Sequence, residues 1–521
     1  MITGITYYRP KWTCGRYDEK THSAIMFNLL SGYSFFFEEI SADVIGLLLS
    51  FSRDCPISVD CISEKTQIDK GVLCPFLTEL VGAGLLTGEV FTNDQIEDYR
   101  NALATHCEQE NLGIRDTESY GLSTSDAEIA YIKRVNRRSL VMMLELTYNC
   151  SERCIHCYNP GATRNDCEVS QRGVHSKLDL TQYKRLIDEF YEEGTFKVCL
   201  TGGDPFSNPY AWEILQYLYE KGFAIEIFTN AQRLVGKEDK LAEVFPCSVA
   251  VSIYSEDPSV HDSITSVRGS HERSLSVLRK LHRLHIPLII KCVIMQNNVR
   301  TYRGVFEIAK ELEAEVQFDC RLFDASDGDK CVSNNLRLNK NQLRIVYRDP
   351  LGLYYVGKEA KNFGAWKLNK NEPACLAGNN NLCITPEGYV IPCCTFHAIL
   401  GDIKKQSFHS IVNENQTLDD LLSLKVSHYE ECGTHEYCDF CVLCPGLNFG
   451  EHGTPTKAAE NSCYYAKIRY EVFQELNAGK DPLQGKDIET ALYELPQFKN
   501  SHLCKNPSTN HLNAPLELKK S

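Results

Sequence analysis

The 521-residue chain contains no run approaching the ~18 consecutive apolar residues that a membrane-spanning helix requires. Its opening stretch, MITGITYYRPKW, lacks the basic start and apolar run of a secretory signal. A membrane-embedded or exported protein is not expected, and the reading is cytoplasmic. Positive charge is also short: 55 Lys and Arg stand against 69 Asp and Glu, a formal charge of −14, with no local basic patch. Phosphate backbones and anionic lipid therefore exert no general attraction, so no nucleic acid and no membrane is expected as a partner. Internal repeats are missing as well. Cysteine, by contrast, is abundant: there are 24, bunched between positions 150 and 157 and between 375 and 463. Disulfide frameworks belong to small secreted domains, so in a long chain without an export signal this bunching points to ligation of metal or clusters.

At roughly 100 to 200 residues per domain, the length suggests two or three cores. From Leu140 to Cys320, six strand-like runs (SLVMMLELT, FKVCLTG, FAIEIFTN, SVAVSIYS, PLIIKCVIM and VQFDC) alternate with amphipathic helical stretches. That rhythm predicts an α/β fold, a parallel sheet with right-handed crossover helices curling toward a partial (β/α)6 TIM barrel. Chemistry in such folds gathers at the C-terminal strand ends. One helix is expected to start near Asp179 or Thr181 and stop at Gly194, and another runs through HERSLSVLRKLHRLH. Ahead of the barrel, AIMFNLLSGYSFFFEE reads as a hairpin turning at Ser31 and Gly32. SADVIGLLLSF, CISEKT and GVLCPFLTELVGAGLL then read as three short helices before a possible wing strand, a winged-helix-like module. The expected division is residues 1–95 for that module, 96–138 for a linker helix, 139–345 for the barrel, 346–470 for a cysteine-rich extension and 471–521 for a loosely ordered polar tail.

Cys150, Cys154 and Cys157 follow directly on the first strand, on a loop at the expected mouth of the barrel. Three thiolates satisfy three irons of a cubane 4Fe–4S cluster and leave the fourth open to an outside ligand. The segment CSERCIHC, with the aromatic His156 before its last cysteine, resembles the C-x3-C-x2-C signature of radical S-adenosylmethionine (SAM) enzymes. The resemblance implies SAM as that ligand and places other SAM contacts at successive strand ends. Gly202, Gly203, Asp204 and Pro205 look like the family's GGEP motif with aspartate for glutamate. Thr229, Asn230 and Ser252 hold positions from which family members bond the ribose or methionyl group. Arg268 is a candidate for the SAM carboxylate, because a guanidinium binds carboxylates as a bidentate fork. A turn signal, a strand serine and a solvated loop arginine are the plain alternatives for these residues taken singly.

Nine cysteines lie within 89 positions from Cys375 to Cys463, and two fully ligated cubanes need eight. A zinc ribbon is the structural alternative, since CDFC is a plausible knuckle. Cys375, Gly388 and Cys393 are spaced by twelve and then four residues, which resembles the opening of the SPASM extension of radical SAM maturases, a carrier of two auxiliary clusters. That resemblance implies Cys375, Cys383, Cys393 and Cys444 for the first cluster and Cys432, Cys438, Cys441 and Cys463 for the second, with Cys394 spare. The intervals of five, two and two residues from Cys432 to Cys444 depart from the usual order, which leaves the division open, as is an unligated iron on the first cluster. Cys14, Cys55, Cys199, Cys247 and Cys292 read as small buried hydrophobes.

The front module resembles the PqqD-like element that grips the leader of a ribosomally made precursor peptide. A DNA-reading winged helix is the competing interpretation, but residues 1–90 hold seven Lys or Arg against eleven Asp or Glu. Together the resemblances imply a radical SAM peptide maturase that oxidatively installs a thioether, carbon–carbon or carbon–oxygen crosslink. Its partners would be a precursor peptide, leader bound by the front module, and an external electron donor such as flavodoxin or ferredoxin. The rivals are a sulfatase-type maturase oxidising Cys or Ser of a protein, and a non-catalytic iron–sulfur electron carrier.

Overall fold

The computed structural model describes residues 5–107, 125–159, 178–324, 330–352, 354–357, 370–429, 431–432 and 434–498. The front of the chain contains strands β1 (Thr6–Tyr8), β2 (Thr13–Asp18), β3 (Ser23–Asn28), β4 (Tyr33–Glu38) and β5 (Pro56–Ser58), with helices α1 (Glu39–Ser50), α2 (Val59–Thr66) and α3 (Lys70–Gly82). β2, β3 and β4 form an antiparallel sheet with β3 in the middle, and β1 pairs with β5. Every residue of β3, SAIMFN, is buried, because the strand is covered on both faces. Ala24 and Met26 pack on Val44, Ile45, Leu48 and Leu77 of the helices. Ile25 and Phe27 pack against the barrel. Gly32, at φ +73°, turns the expected hairpin between β3 and β4. After α3 the chain makes a single bridge, Thr87 to Tyr8, instead of a wing strand.

The expected linker helix is two helices, α4 (Asn93–Cys107) and α5 (Asp126–Val135), separated by residues outside those described. The barrel strands follow: β6 (Val141–Thr147), β7 (Lys197–Gly202), β8 (Ala224–Thr229), β9 (Ser248–Ser252), β10 (Leu288–Val293) and β11 (Glu315–Asp319), all parallel and in sequential order. Their crossovers hold α6 (Leu180–Glu192), α7 (Ala211–Glu220), α8 (Glu238–Ala242), α9 (Pro258–Thr265), α10 (Ser270–Arg283) and α11 (Gly304–Glu311). Asp179 caps α6 in a reciprocal pair with Gln182, which satisfies two otherwise orphaned amides at the helix start. Met142, Leu144, Leu146, Val198, Leu200, Ile225 and Ile227 face the helices in one large core.

Beyond the barrel come α12 (Cys331–Leu336), α13 (Lys340–Val346), strands β12 (Asn381–Ile384), β13 (Tyr389–Ile391) and β14 (Gly401–Asp402), and helices α14 (Phe408–Asn413), α15 (Gln416–Leu422), α16 (Pro445–His452), α17 (Glu460–Asn477) and α18 (Ile488–Tyr493). These strands join the barrel sheet. β12 lies parallel to β6, with Cys383 opposite Met143, so the sheet has nine strands in the order β11-β10-β9-β8-β7-β6-β12-β13-β14. The described part of the expected tail, 471–498, is likewise part of the fold, because Leu492 of α18 is 2% exposed within the barrel's outer core; residues 499–521 lie outside those described.

The front module and α5 seal the barrel's lower end. Trp12, Cys14, Phe27, Tyr131, Met143, Phe196 and Cys199 share one apolar cluster. Within it, Lys197 pairs with Glu128 of α5 at 2.6 Å and with Glu226 of β8 at 3.6 Å, all three nearly fully buried. Of the remaining cysteines, Cys14, Cys199 and Cys292 are buried as expected, Cys247 is half-buried, and Cys55 is exposed in the loop before β5. Among the described residues, no helix is long and apolar enough to cross a membrane.

Candidate functional site

β6 delivers the first cysteine loop to the C-terminal end of the barrel. The loop is pinned from two sides: Asn149 N–H donates to Thr147 Oγ1 at 3.0 Å, and the amides of Arg153 and Ile155 donate to the carbonyls of Thr265 and Ile264 at 2.9 Å each. Cys150, Cys154 and Cys157 are mutual neighbours within it. Burial pushes the Cys150 thiol up to about 12 and the Cys157 thiol to about 11, and raises Cys154 as well. Buried sulfurs of this kind are thiolates only when a metal's charge compensates them. Donors already face one sulfur: Asn230 Nδ2 lies 3.2 Å and the Glu152 amide 3.4 Å from Cys150 Sγ. This donor set fits an anionic, sulfur-ligated cluster.

Gly202 and Gly203 lie against that loop. Gly202 has φ +123°, and a Cβ there would stand 2.3 Å from the Thr147 carbonyl oxygen; one at Gly203 would stand 2.6 Å from the carbonyl oxygens of Tyr148 and Asn149. The Gly203 amide donates to Thr147 O at 2.7 Å, and the Asp204 amide to Asn149 O at 3.1 Å. The glycines thus let β7 seat the cysteine loop. Asp204 is fully buried, and its carboxylate accepts from the Thr229 hydroxyl, tying the end of β7 to that of β8. Pro205 begins a buried 3-10 turn. Asp204 and Thr229 therefore act as supports beneath the loop, whereas Asn230 reaches the cysteine sulfur.

Ser252 ends β9, half-buried and in register with Lys291 of β10. Arg268 is exposed on the turn between α9 and α10. Arg273 of α10 donates to Gln232 Oε1 at 2.5 Å and acts on the buried Glu152. His156 stands edge-on to Tyr254, with ring centroids 4.9 Å apart, and burial lowers its pKa to about 4, so it is neutral at pH 7. Three residues absent from the sequence expectation belong here: Glu152, Arg273 and Glu145. Glu145 is 1% exposed, accepts from Tyr148 Oη at 3.0 Å, and is pushed up to about 8 by burial, so it carries a proton at neutral pH. A carboxylate in the apolar run SLVMMLELT was the signal for it.

The downstream thiols fall into two groups. Cys375 neighbours Cys393 and Cys444, and burial first, then these two, push its thiol up to about 12. Cys441 neighbours Cys463 and Cys432, and Cys432 neighbours Cys463 and Cys438; burial first, then those thiols, push Cys441 to about 12 and Cys432 to about 11. Among the described residues, no three His, Cys, Asp or Glu groups converge as a single-ion site requires; a cubane spreads its ligands round four irons. Cys383, of the expected first set, neighbours Cys393. It is fully buried on β12 in the apolar cluster at the barrel base, with Met143, Cys199 and Ile391. Strand alternation turns its thiol inward, toward Cys393 and Glu145. Cys394 hydrogen-bonds Cys393 and neighbours Cys383 and Glu145.

Residues 144–306 match the Radical SAM superfamily, and residues 375–445 match the SPASM iron–sulfur cluster-binding domain. The chain is 25% identical over 332 residues to an AdoMet-dependent heme synthase of Methanosarcina barkeri, covering 59% of this chain and 92% of that one. It is 26% identical over 281 residues to a PqqA peptide cyclase of Rhodopseudomonas palustris, covering 50% and 69%. Its fold matches Streptococcus suis SuiB, solved bound to the precursor peptide SuiA, with a TM-score of 0.53 at 13% identity over 88% of this chain and 99% of that one. The cysteine loop on β6, the glycines that seat it and the paired downstream thiol groups therefore belong to a radical SAM protein with an SPASM extension, whose cofactors are 4Fe–4S clusters and S-adenosylmethionine.

Proposed function

We propose that this protein is a peptide maturase that oxidatively crosslinks a ribosomally made precursor. The observation that carries the reading is the position of Glu145: one buried carboxyl neighbours both Cys157 of the first loop and Cys393 of the first downstream group. The two centres thus face a common enclosed interior. When bound, the cluster on Cys150, Cys154 and Cys157 with SAM supplies a 5'-deoxyadenosyl radical, and the downstream clusters supply an acceptor for one electron. Forming one crosslink removes two hydrogens from the peptide, one as an atom and the other as a proton and an electron.

The chain's own residues bind, orient and exclude water. Gly203, Asp204 and Thr229 hold the cysteine loop in register with β7 and β8, while Asn230 orients Cys150. Trp12, Phe27 and Phe196 close the lower end of the barrel, which keeps water from a reactive interior. The edge strand β4 of the front sheet is the place for the leader, added as a further strand, with the exposed Tyr33 of that strand as an apolar contact. The likeness to SuiB spans 88% of this chain, and SuiB was solved with its precursor peptide bound.

The test is anaerobic incubation of the reconstituted enzyme with SAM, a reductant and a candidate small precursor peptide, read by mass spectrometry. Loss of two hydrogens per crosslink is expected. An unchanged precursor while SAM is cleaved would remove the proposed substrate; the absence of any SAM cleavage under competent reduction would sink the enzymatic reading.

A further inference from the structure

Two arginines stand at the seam between the downstream thiol groups. Arg321 follows Cys320 at the end of β11, and Arg469 lies on α17, the helix that also carries Cys463. Both are buried, 8% and 5% exposed, and both guanidiniums lie against the ring of Tyr354, at 5.4 and 4.8 Å. Arg469 Nη1 donates at 3.0 Å to the carbonyl of Phe440, the residue before Cys441. Arg321 pairs with Asp319 at 3.3 Å. Both cations act on Cys441, of the second group, and Arg321 also acts on Cys444, of the first.

A buried guanidinium is costly unless anions face it. Both also act on the buried Cys320, and beside them lies a cluster site; a thiolate-ligated 4Fe–4S cluster is an anion that gains one further negative charge on reduction. Net charge and burial are what the protein uses to set such a potential. A fixed cation therefore favours the reduced form over the oxidised one, and it does so strongly where water is excluded. Arginine suits the task because its planar guanidinium stacks flat on an aromatic ring.

We propose that Arg321 and Arg469 are positioning residues for the auxiliary clusters, a shared cationic bridge that raises the reduction potential of both. The step concerned takes one electron: the oxidised cluster is reduced, the electron coming from the peptide as it is oxidised, or from dithionite in the experiment. The inference rests on the clusters and not on the identity of the peptide.

The test is an anaerobic potentiometric titration followed by electron paramagnetic resonance, on the reconstituted full-length chain carrying Cys150→Ala, Cys154→Ala and Cys157→Ala so that only the downstream clusters report. Arg321→Gln and Arg469→Gln are each expected to disfavour reduction at least tenfold, a downward shift of about 59 mV for one electron. The lysine variants at the same positions should stay within about threefold of the parent. Asp319→Asn, which frees Arg321 from its carboxylate, should shift the midpoint upward. Glutamine variants that keep their iron with an unchanged midpoint overturn the bridge, as do lysine variants that shift as far as glutamine. Should the glutamine variants fail to hold iron, Asp319→Asn decides alone, and an unchanged or lowered midpoint overturns the proposal. No peptide enters this titration. A null shift therefore removes only the bridge, whereas an unmodified precursor removes only the proposed substrate.

Discussion

Gly203 has no room for a methyl group, because backbone oxygens of the cysteine loop stand 2.6 Å from where its Cβ would be. Gly203→Ala is expected to lift that loop from β7 and lower SAM cleavage roughly 10- to 100-fold, since displacements near 1 Å cost that much; release of 5'-deoxyadenosine measures it. Cys383 is expected to behave in the opposite way to its neighbours. Cys383→Ala should retain the downstream iron at a stability cost on the order of 1 kcal/mol, whereas Cys375→Ala or Cys393→Ala should lose iron in the colorimetric assay. His261 sets an acid limit. It is 1% exposed, accepts the Tyr254 amide at 3.3 Å, faces His271 across 5.2 Å and adjoins Asp262. Burial, then His271, lowers its pKa from 6.5 to about 3. Between those values the unfolded chain takes up a proton that the folded chain refuses. Stability is therefore complete above about pH 6.5 and falls as pH drops toward 3, by up to about 1.4 kcal/mol per pH unit. His261→Gln should flatten the melting temperature over that window.

At the scale of elements, the joint between α5 and the barrel rests on one cation. Lys197 begins β7 and holds Glu128 of α5 and Glu226 of β8 in an apolar surround. Lys197→Met strands the buried carboxylate of Glu128 and leaves Glu226 to Lys291 alone among cations, and removal of one partner from such a set costs about 3 to 5 kcal/mol. The expected outcome is a lower urea midpoint, partly restored when Glu128→Leu is added. The strand β12 is the other decisive element. NLCI reads as a short apolar run with no indication of its neighbour; its pairing with β6 arises because β6 is the open edge of the parallel sheet, and an unpaired edge there would leave backbone groups unsatisfied. That pairing carries Cys393 and Cys394 to the barrel interior and explains why Cys383, an odd member of a buried strand, faces the core.

At the scale of the whole molecule, the front module belongs to the barrel's own core. Trp12, Cys14, Ile25 and Phe27 share a cluster with Val141, Met143, Phe196 and Ala224. A chain begun at residue 91 would expose that surface and is expected to be insoluble or to melt well below the full chain in calorimetry. Much of this architecture was legible beforehand. Alternating strand and helix periods marked β6 to β11, the turn residues marked the hairpin of β3 and β4, and the spacing of Cys150, Cys154 and Cys157 marked the reactive end, because local periodicity and ligand spacing are written along the chain. Glu145 left only the trace of a carboxylate in an apolar run, and Glu152, Arg273 and the arginine pair left none, since each owes its role to neighbours distant in sequence. The chain's order of residues thus settled which chemistry it carries and on which strand end. Tertiary packing decided which thiols face one another, which glycines make room for neighbouring backbone, and which charges lie between the centres, because burial and proximity are properties of the packed fold alone.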